Sequence, residues 1–369
     1  MEFLVQKGEL LKELQYVQGV VEKKTTVPIL SNLLLETTGN ALSITGTDLD
    51  VTIRCGCPAA VKVAGSVTLS ARKLFDIVRL LPESEIHFKM AGGDDWVSIT
   101  CERSRFKVAV LSKENFPDVP KVDSERIELP ADSLRYMISR CVFAITQEES
   151  RFALNGSLMI LKANQMTLVT TDGHRLALIS APVELPGIEG EEKSLIPRKT
   201  LVELVKLAAS GYDLIQFSKD SNHLLFQVGE RLLISRILSG QFPNYEMVVP
   251  ADNDKQVLIS AGELSDTLRR VSIMADEQSR AIKLNLSEGQ LDVSSNNADQ
   301  GEAKESLPVD FVGENLSICF NARYLLDFLS VLDSEKVSLH LKDGETQGLF
   351  SPVDEEEYSY RYIVMPMQI

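Results

Sequence analysis

Apolar and polar residues alternate along most of this chain with the two-residue period of half-buried β-strands. Clear cases are LSITGTDLDVTIRCG (42–56), DWVSITCERSRFKVAVL (95–111), HLLFQVGERLLISRIL (223–238) and KVSLHLKD (336–343). Six segments switch to a helical period: 8–24, 70–81, 130–146, 197–209, 260–280 and 321–332. The switches recur. Leu10, Leu134 and Leu264 each follow a strand and open a helix, 124 and 130 residues apart. Mid-way comes a second strand-to-helix unit, in LSARKLFDIV (69–78), IPRKTLVELV (196–205) and FNARYLLDFL (320–329). Its leucines Leu74, Leu201 and Leu325 are each followed two residues later by an acid, Asp76, Glu203 or Asp327. Between the two units lie LSITGTD (42–48), MTLVTTD (166–172) and LDVSSNN (291–297). Three landmarks in one order at one period describe a structural repeat with little shared identity.

Each third therefore holds two helices, each preceded by a strand and followed by several more. A helix laid over an antiparallel sheet buries one face of each, which makes an α+β domain. The 369 residues suit three such domains of about 120 residues. The thirds are bounded at 1–120, 127–250 and 256–369. The connections, after Asn115-Phe-Pro-Asp-Val-Pro120 and after Gln241-Phe-Pro-Asn-Tyr-Glu-Met-Val-Val-Pro250, are proline-bracketed and charged. Strand-rich repeats leave sheet edges to be covered, and tandem domains can pair edges with one another.

Net charge is −15, which argues against nucleic acid until its distribution is considered. The six predicted helices carry 15 Lys and Arg against 11 Asp and Glu, a net of +4. The acid lies on strands and loops, as in Glu189 to Glu192 and Asp354 to Glu357. One weakly basic surface inside an acidic shell is one reading. Ordinary solvated helix faces are the other. No apolar run reaches the ~18 residues of a membrane span, and the N-terminus is an alternating strand rather than a signal peptide. A cytoplasmic protein that does not enter membranes is expected. Five cysteines with no CxxC fit reduced, buried thiols. Cys55-Gly-Cys57 as a metal clip is the weaker alternative, because neighbouring strand positions make a poor tetrahedral site. No cofactor or metal is expected.

Nucleotide-binding glycine motifs, a GxSxG elbow and HExxH are all missing. The one local polar cluster is Thr170-Thr-Asp-Gly-His-Arg-Leu-Ala177. Asp172 and His174 supply two parts of a hydrolytic triad, but Asp48 occupies the Asp172 position of the first repeat with no histidine beside it. A turn in which polar side chains bond local backbone accounts for both, so no catalytic residue is assigned. The tail, Tyr362-Ile-Val-Met-Pro-Met-Gln-Ile369, is apolar where chains usually fray. It is either a last core strand or part of an adaptable methionine-lined groove.

These motifs carry a resemblance. SARKLFDI with TGTDL, SRFALNG with TTDGHRLAL and IPRK, GQFPNY and the terminal YIVMPM together resemble the beta subunit of bacterial DNA polymerase III, the DNA sliding clamp. The resemblance spans the whole chain. It implies the DNA clamp fold, with three domains of two helices on antiparallel sheets, and a ring-shaped head-to-tail homodimer around duplex DNA. It implies a non-enzymatic processivity factor that meets the replicative polymerase, clamp loader and repair proteins through short linear motifs. A non-DNA-binding interaction scaffold is the rival reading. Lys24, Arg72, Arg198 and Lys199 are implied as DNA contacts. Lys73, Phe106 and Val108 are implied to meet Ile273 and Met274 of a second copy. The implied partner-peptide groove comprises Arg151, Leu154, Thr171, Gly173, His174, Arg175, Leu176, Pro243, Met247, Val248, Asn321, Tyr324, Val364, Met365, Pro366 and Met367. Departures from the family pattern are Ala153 for an aromatic, Glu148 for glutamine, Met247 for arginine and Ser279 for phenylalanine. A size estimate fits two copies. Domains roughly 35 Å across leave a hole of about 3 Å radius when three close a ring, about 8 Å for four and about 18 Å for six. A duplex needs roughly 10 Å.

Overall fold

The computed structural model describes every residue except 23–25, 91–94, 147, 149, 354–356 and 369. Each third runs in the order β-α-β-β-β-β-α-β-β-β, and the first inserts one more strand, Ala60–Val63. The helices are α1 (Lys7–Val17), α2 (Ala71–Leu80), α3 (Ala131–Cys141), α4 (Arg198–Ala208), α5 (Ala261–Val271) and α6 (Ala322–Leu329). All three sequence landmarks fall at equivalent elements. The leucines that defined the repeat are core residues: Leu10, Leu74, Leu134, Leu201, Leu264 and Leu325 are each at most 1% exposed. α2 buries Ala71, Leu74 and Val78 at helical spacing while Arg72 and Lys73 face out.

Three expected helices are shorter than their patterns. The apolar period of 8–24 ends as helix at Val17, that of 130–146 at Cys141 and that of 260–280 at Val271. Outside groups take the last carbonyls. Thr170 Oγ1 donates to the Cys141 carbonyl at 2.7 Å, and Ser295 Oγ donates to that of Val271 at 2.6 Å. These carbonyls no longer need a continuing helix, and short 3₁₀ turns follow at Val142–Ala144 and Ser272–Met274. In the first third the matching position is Gly46, where a Cβ would stand 2.8 Å from Val17.

The chain divides into two compact units, and the middle third contributes to both. The first holds Met1–Arg135 with Lys199–Ile237. It contains one 13-stranded sheet, joined where Val51–Pro58 pairs antiparallel with Arg231–Arg236. Beneath that seam, Glu13 of α1 and Arg231 form a buried ion pair (2.8 Å from Nε), and the guanidinium lies over Tyr16. The second unit holds Tyr136–Arg198 with Leu238–Ile369. Its eight-stranded sheet is joined where Arg175–Ala181 pairs with Ser359–Val364. A separate four-stranded sheet ends at Gly301–Pro308.

The two seams follow one rule. The third strand after a repeat's first helix (51–58, then 175–181) pairs with the last strand of the next repeat (231–236, then 359–364). Among the described residues the rule leaves two strands without such a partner. Gly301–Pro308 is paired on one side only, to Gln290–Asn297. Ser104–Leu111 pairs with Trp96–Cys101 and reaches Gly65–Ser70 only through Val110 and Leu111.

The five cysteines are free thiols, four of them buried. Cys55 Sγ donates to the carbonyls of Glu13 and Ile44. Burial pushes the Cys57 thiol up to about 12 and Cys55 well above its ordinary value, so both stay protonated and are poor metal ligands. Among the described residues no helix is long and apolar enough to cross a membrane, and no group of three His, Cys, Asp or Glu is placed to hold a metal.

Candidate functional site

The second unit brings the two sequence anomalies together. Asp172-Gly-His174 is a tight turn leading into the 175–181 strand. Asp172 Oδ1 accepts the backbone N–H of His174 (2.9 Å) and of Arg175 (3.1 Å). Asp48 does the same for Asp50 and Val51 in the first repeat, which bears out the turn reading. Thr171 Oγ1 accepts from Gly173 N–H and donates to the Arg175 carbonyl. Gly173 has φ +92°, and a Cβ there would lie 2.8 Å from Arg151 Nη1. Glycine thus provides both the left-handed turn and the space for Arg151, which donates to the Asp172 carbonyl at 2.9 Å. His174 is exposed, and the second carboxylate oxygen of Asp172 faces Arg175, so the hydrolytic pairing is not made.

The tail settles against this turn. Ser359–Val364 is a core strand with Tyr360, Tyr362, Ile363 and Val364 buried. Met365, Pro366 and Met367 leave the sheet half-buried. Met365 N–H donates to the His174 carbonyl (2.9 Å) and Met367 N–H to the Cys319 carbonyl (2.8 Å). The core-strand reading holds as far as Val364, and beyond it Met365, Pro366 and Met367 form a half-buried apolar ledge.

Arg175 ties the site together. Its side chain is 8% exposed. Nε donates to Asp172 Oδ2 at 3.0 Å, Nη1 to Asp327 Oδ2 at 2.7 Å, and Nη2 to the Phe143 carbonyl at 2.9 Å. The guanidinium lies 4.4 Å from the ring centre of Tyr324 and 5.4 Å from that of Phe143. Tyr362 hydroxyl donates to the Tyr324 carbonyl. Asn321 caps α6 through Arg323 N–H, and its amide donates to the Ser279 carbonyl. Next to the turn, Arg151, Phe152, Ala153, Leu154 and Pro243 line a shallow concavity of about 390 Å³. Phe152 stands 66% exposed beside it, and Ala153 contributes no ring.

Of the expected groove residues, Arg151, Thr171, Gly173, His174, Arg175, Tyr324, Val364 and Met365 form one connected set, with Leu154 and Pro243 on the adjoining concavity. Leu176 is buried in its strand, paired with Ile363. Met247 is 80% exposed on the 3₁₀ turn Tyr245–Met247, outside that concavity's lining, and Val248 offers its carbonyl to Gln347. Asp327, Phe143 and Cys319 were missed. Asp327 is the acid that recurs two residues after the mid-repeat leucine, and only the fold reveals its partner.

The expected DNA contacts divide. Arg72 is 88% exposed and Arg198 is exposed at the start of α4. Lys199 is engaged, donating to the Val20 carbonyl and pairing with Asp48. Lys24 lies outside the described residues. Among the expected subunit contacts, Ile273 is 74% exposed, Phe106 38%, Met274 half-buried and Lys73 exposed, whereas Val108 is buried at 8%.

Comparison with known proteins covers the full length. Family models described as the N-terminal, central and C-terminal domains of the DNA polymerase III beta subunit match residues 1–120, 128–244 and 246–368. A beta sliding clamp of Pseudomonas putida is 37% identical over 376 residues and that of Escherichia coli K12 34% over 380, with both chains covered completely in each case. The crystal structure of the DNA polymerase III subunit beta from Pseudomonas aeruginosa aligns at a TM-score of 0.94 and 36% identity, again over 100% of both chains. A Pseudomonas aeruginosa sliding clamp bound to griselimycin aligns at 0.93 and 36% over the same extent.

Proposed function

The chain belongs to the DNA polymerase III beta subunit family, the bacterial DNA sliding clamps, and from that premise we propose that two copies close head to tail around duplex DNA. As a sliding clamp it keeps a replicative polymerase on its template. The mechanism is topological and needs no bond to be made or broken. A weak, sequence-independent hold on phosphates lets the ring slide, and closure prevents escape.

The observation that carries the dimer is the pair of strands the rule leaves unmatched. Two seams inside the chain join equivalent strands, and the same rule applied once more joins Gly301–Pro308 of one copy to Ser104–Leu111 of the other. Head-to-tail contacts that close make rings. Ile273 and Phe106 are among the apolar side chains exposed near these strands, with Lys73 and Met274 as further candidates. Domain boundaries at 1–120, 127–250 and 256–369 belong to the same reading, as does a cytoplasmic location. Arg72 and Arg198 are proposed phosphate contacts. The groove at the tail is proposed to take short linear motifs of polymerase, clamp loader and repair proteins, whose apolar anchors would pack on Met365, Pro366 and Tyr324.

Protein loaded on a closed DNA circle should survive a salt wash and run off once the circle is cut. Equal loss from circular and linear DNA would defeat the ring. Sedimentation should give twice 40.9 kDa, and Ile273→Asp with Met274→Asp should give the single-chain mass. A wild-type monomer at micromolar concentration contradicts the assembly.

A further inference from the structure

The first seam repeats the backbone of the second but not its side chains. Arg236 N–H donates to the Asp50 carbonyl at 2.8 Å, as Met365 N–H does to that of His174. Leu49, Val51 and Arg236 stand where the second seam has Gly173, Arg175 and Met365. The first seam therefore lacks both the arginine fork and the methionine ledge. The 3₁₀ turn Pro28–Ser31 packs Ile29 and Leu30 against Leu34 and Phe116 in a buried cluster. Its counterpart, Phe152–Leu154, borders the open concavity beside Pro243.

A different opening lies beside Phe116. Residues 113–122 form one wall, and the sheet face opposite α1 forms the floor, of a concavity of about 560 Å³. Arg231 points to Glu13 of α1, so Leu232 and Ile234 face the other way. Leu34 and Leu225 complete the apolar floor, and Pro117 and Val119 stand on the wall. Arg54, directly opposite Leu232 in the seam, is exposed on this floor. Its Nε donates to Ser43 Oγ at 3.3 Å, and among the described residues no carboxylate lies within ion-pair distance of it. Glu36, on the same lining, is taken by Lys113 at 2.6 Å. Among the described residues, no backbone N–H or carbonyl from Asp118 to Val122 makes a hydrogen bond. Unpaired backbone beside an apolar floor suits an extended peptide, which needs main-chain partners and pockets for alternate side chains.

We propose that this concavity is a second docking site, for an extended peptide with apolar anchors at alternate positions and one carboxylate that meets Arg54. The lining carries three cations (Arg54, Lys113, Lys121) and three acids (Glu36, Glu114, Asp118). No net field draws a polyanion there, so a phosphate backbone is not the occupant. The site depends on neither the ring nor the groove at the tail.

The probe is a fluorescein-labelled peptide with Leu, Val and Glu at alternate positions, separated by serines. It is titrated with the full-length protein and followed by anisotropy. Wild-type protein should bind it at micromolar to millimolar concentration. Arg54→Glu should weaken binding about tenfold, the loss of one charge-assisted contact. A probe with Lys in place of Glu should bind Arg54→Glu better than it binds wild type, which a misfolded variant could not reproduce. Val119→Asp, at a half-buried connector position, should weaken both probes. Met365→Asp, in the tail ledge, should leave binding of the first probe unchanged. The proposal is overturned if wild-type protein leaves the probe free at millimolar concentration, or if Arg54→Glu binds it as wild type does. Release of the probe by Met365→Asp would place it in the groove at the tail and overturn the second site. A changed sedimentation mass in Val119→Asp would give the concavity to a second copy and overturn it as well.

Discussion

Replacing Arg175 by alanine removes one side chain and strands three acceptors: Asp172 Oδ2, Asp327 Oδ2 and the Phe143 carbonyl. Burial works against the charged guanidinium, but the Tyr362 phenol, Asp327 and Asp172 outweigh it and hold its pKa above the ordinary arginine value. Breaking a buried ion pair by removing one partner costs about 3–5 kcal/mol. The carboxylates here are not sealed, since the Asp172 side chain is 15% exposed and that of Asp327 29%. Water recovers part of their hydration, which places the loss at the low end, roughly 3 kcal/mol. For a unit of this size that corresponds to a fall of roughly 6–12 °C in Tm. Arg175→Lys can meet one carboxylate but not span the fork, so about half the loss should return. Removing the charges together, as Arg175→Met with Asp327→Asn, should cost less than Arg175→Ala alone, because no carboxylate at 327 is left without its partner. Calorimetry on the four proteins reads these differences, and a fluorescent peptide with leucine and phenylalanine anchors reports the groove in parallel. The reasoning is refuted if Arg175→Ala loses less than ~1 kcal/mol, the value of an exposed pair.

Two further predictions follow. Truncation after Val364 removes the ledge but keeps the core strand, so peptide binding should vanish while dimer mass holds and Tm moves by no more than a few degrees; binding equal to that of the intact chain would place the groove elsewhere. Lys304, with Ser306 and Gln290, holds Asp292 down to about 2, and Arg270, with Thr267, holds Glu305 there. Depressed carboxyls stabilise the fold above their unfolded values near 4, and that contribution is lost as pH falls from about 4 toward 2. Both pairs are exposed, so the loss should be small and should shrink further in 0.5 M salt; hydrogen exchange in the 290–308 hairpin measures it, and a loss that begins above pH 6 would assign it to other groups.

The repeat was legible because its signals are local. Strand and helix periods follow from backbone geometry, so alternating and helical stretches announce themselves within ten residues. Leu74, Leu201 and Leu325 mark the same core position in each third whatever surrounds them. The Asp48 and Asp172 turns were legible for the same reason, since an aspartate bonds backbone two and three residues ahead. The ends of the three longer helices were not legible, whereas 70–81 and 197–209 agree with Ala71–Leu80 and Arg198–Ala208 to within a residue. The apolar period runs on past Cys141 and Val271, and only hydroxyls brought from Thr170 and Ser295 take the carbonyls that end those helices. Side-chain commitments were hidden as well. Arg72, Lys199 and Arg323 look alike in sequence, yet the fold ties Lys199 to Asp48 across 151 residues and joins Asp327 to Arg175 across 152. The chain itself specifies which short segments become strands and helices, because those preferences act between near neighbours. Which edges meet, and which charges are used up when they do, depends on packing that brings distant segments within 3 Å, and only the tertiary structure decides it.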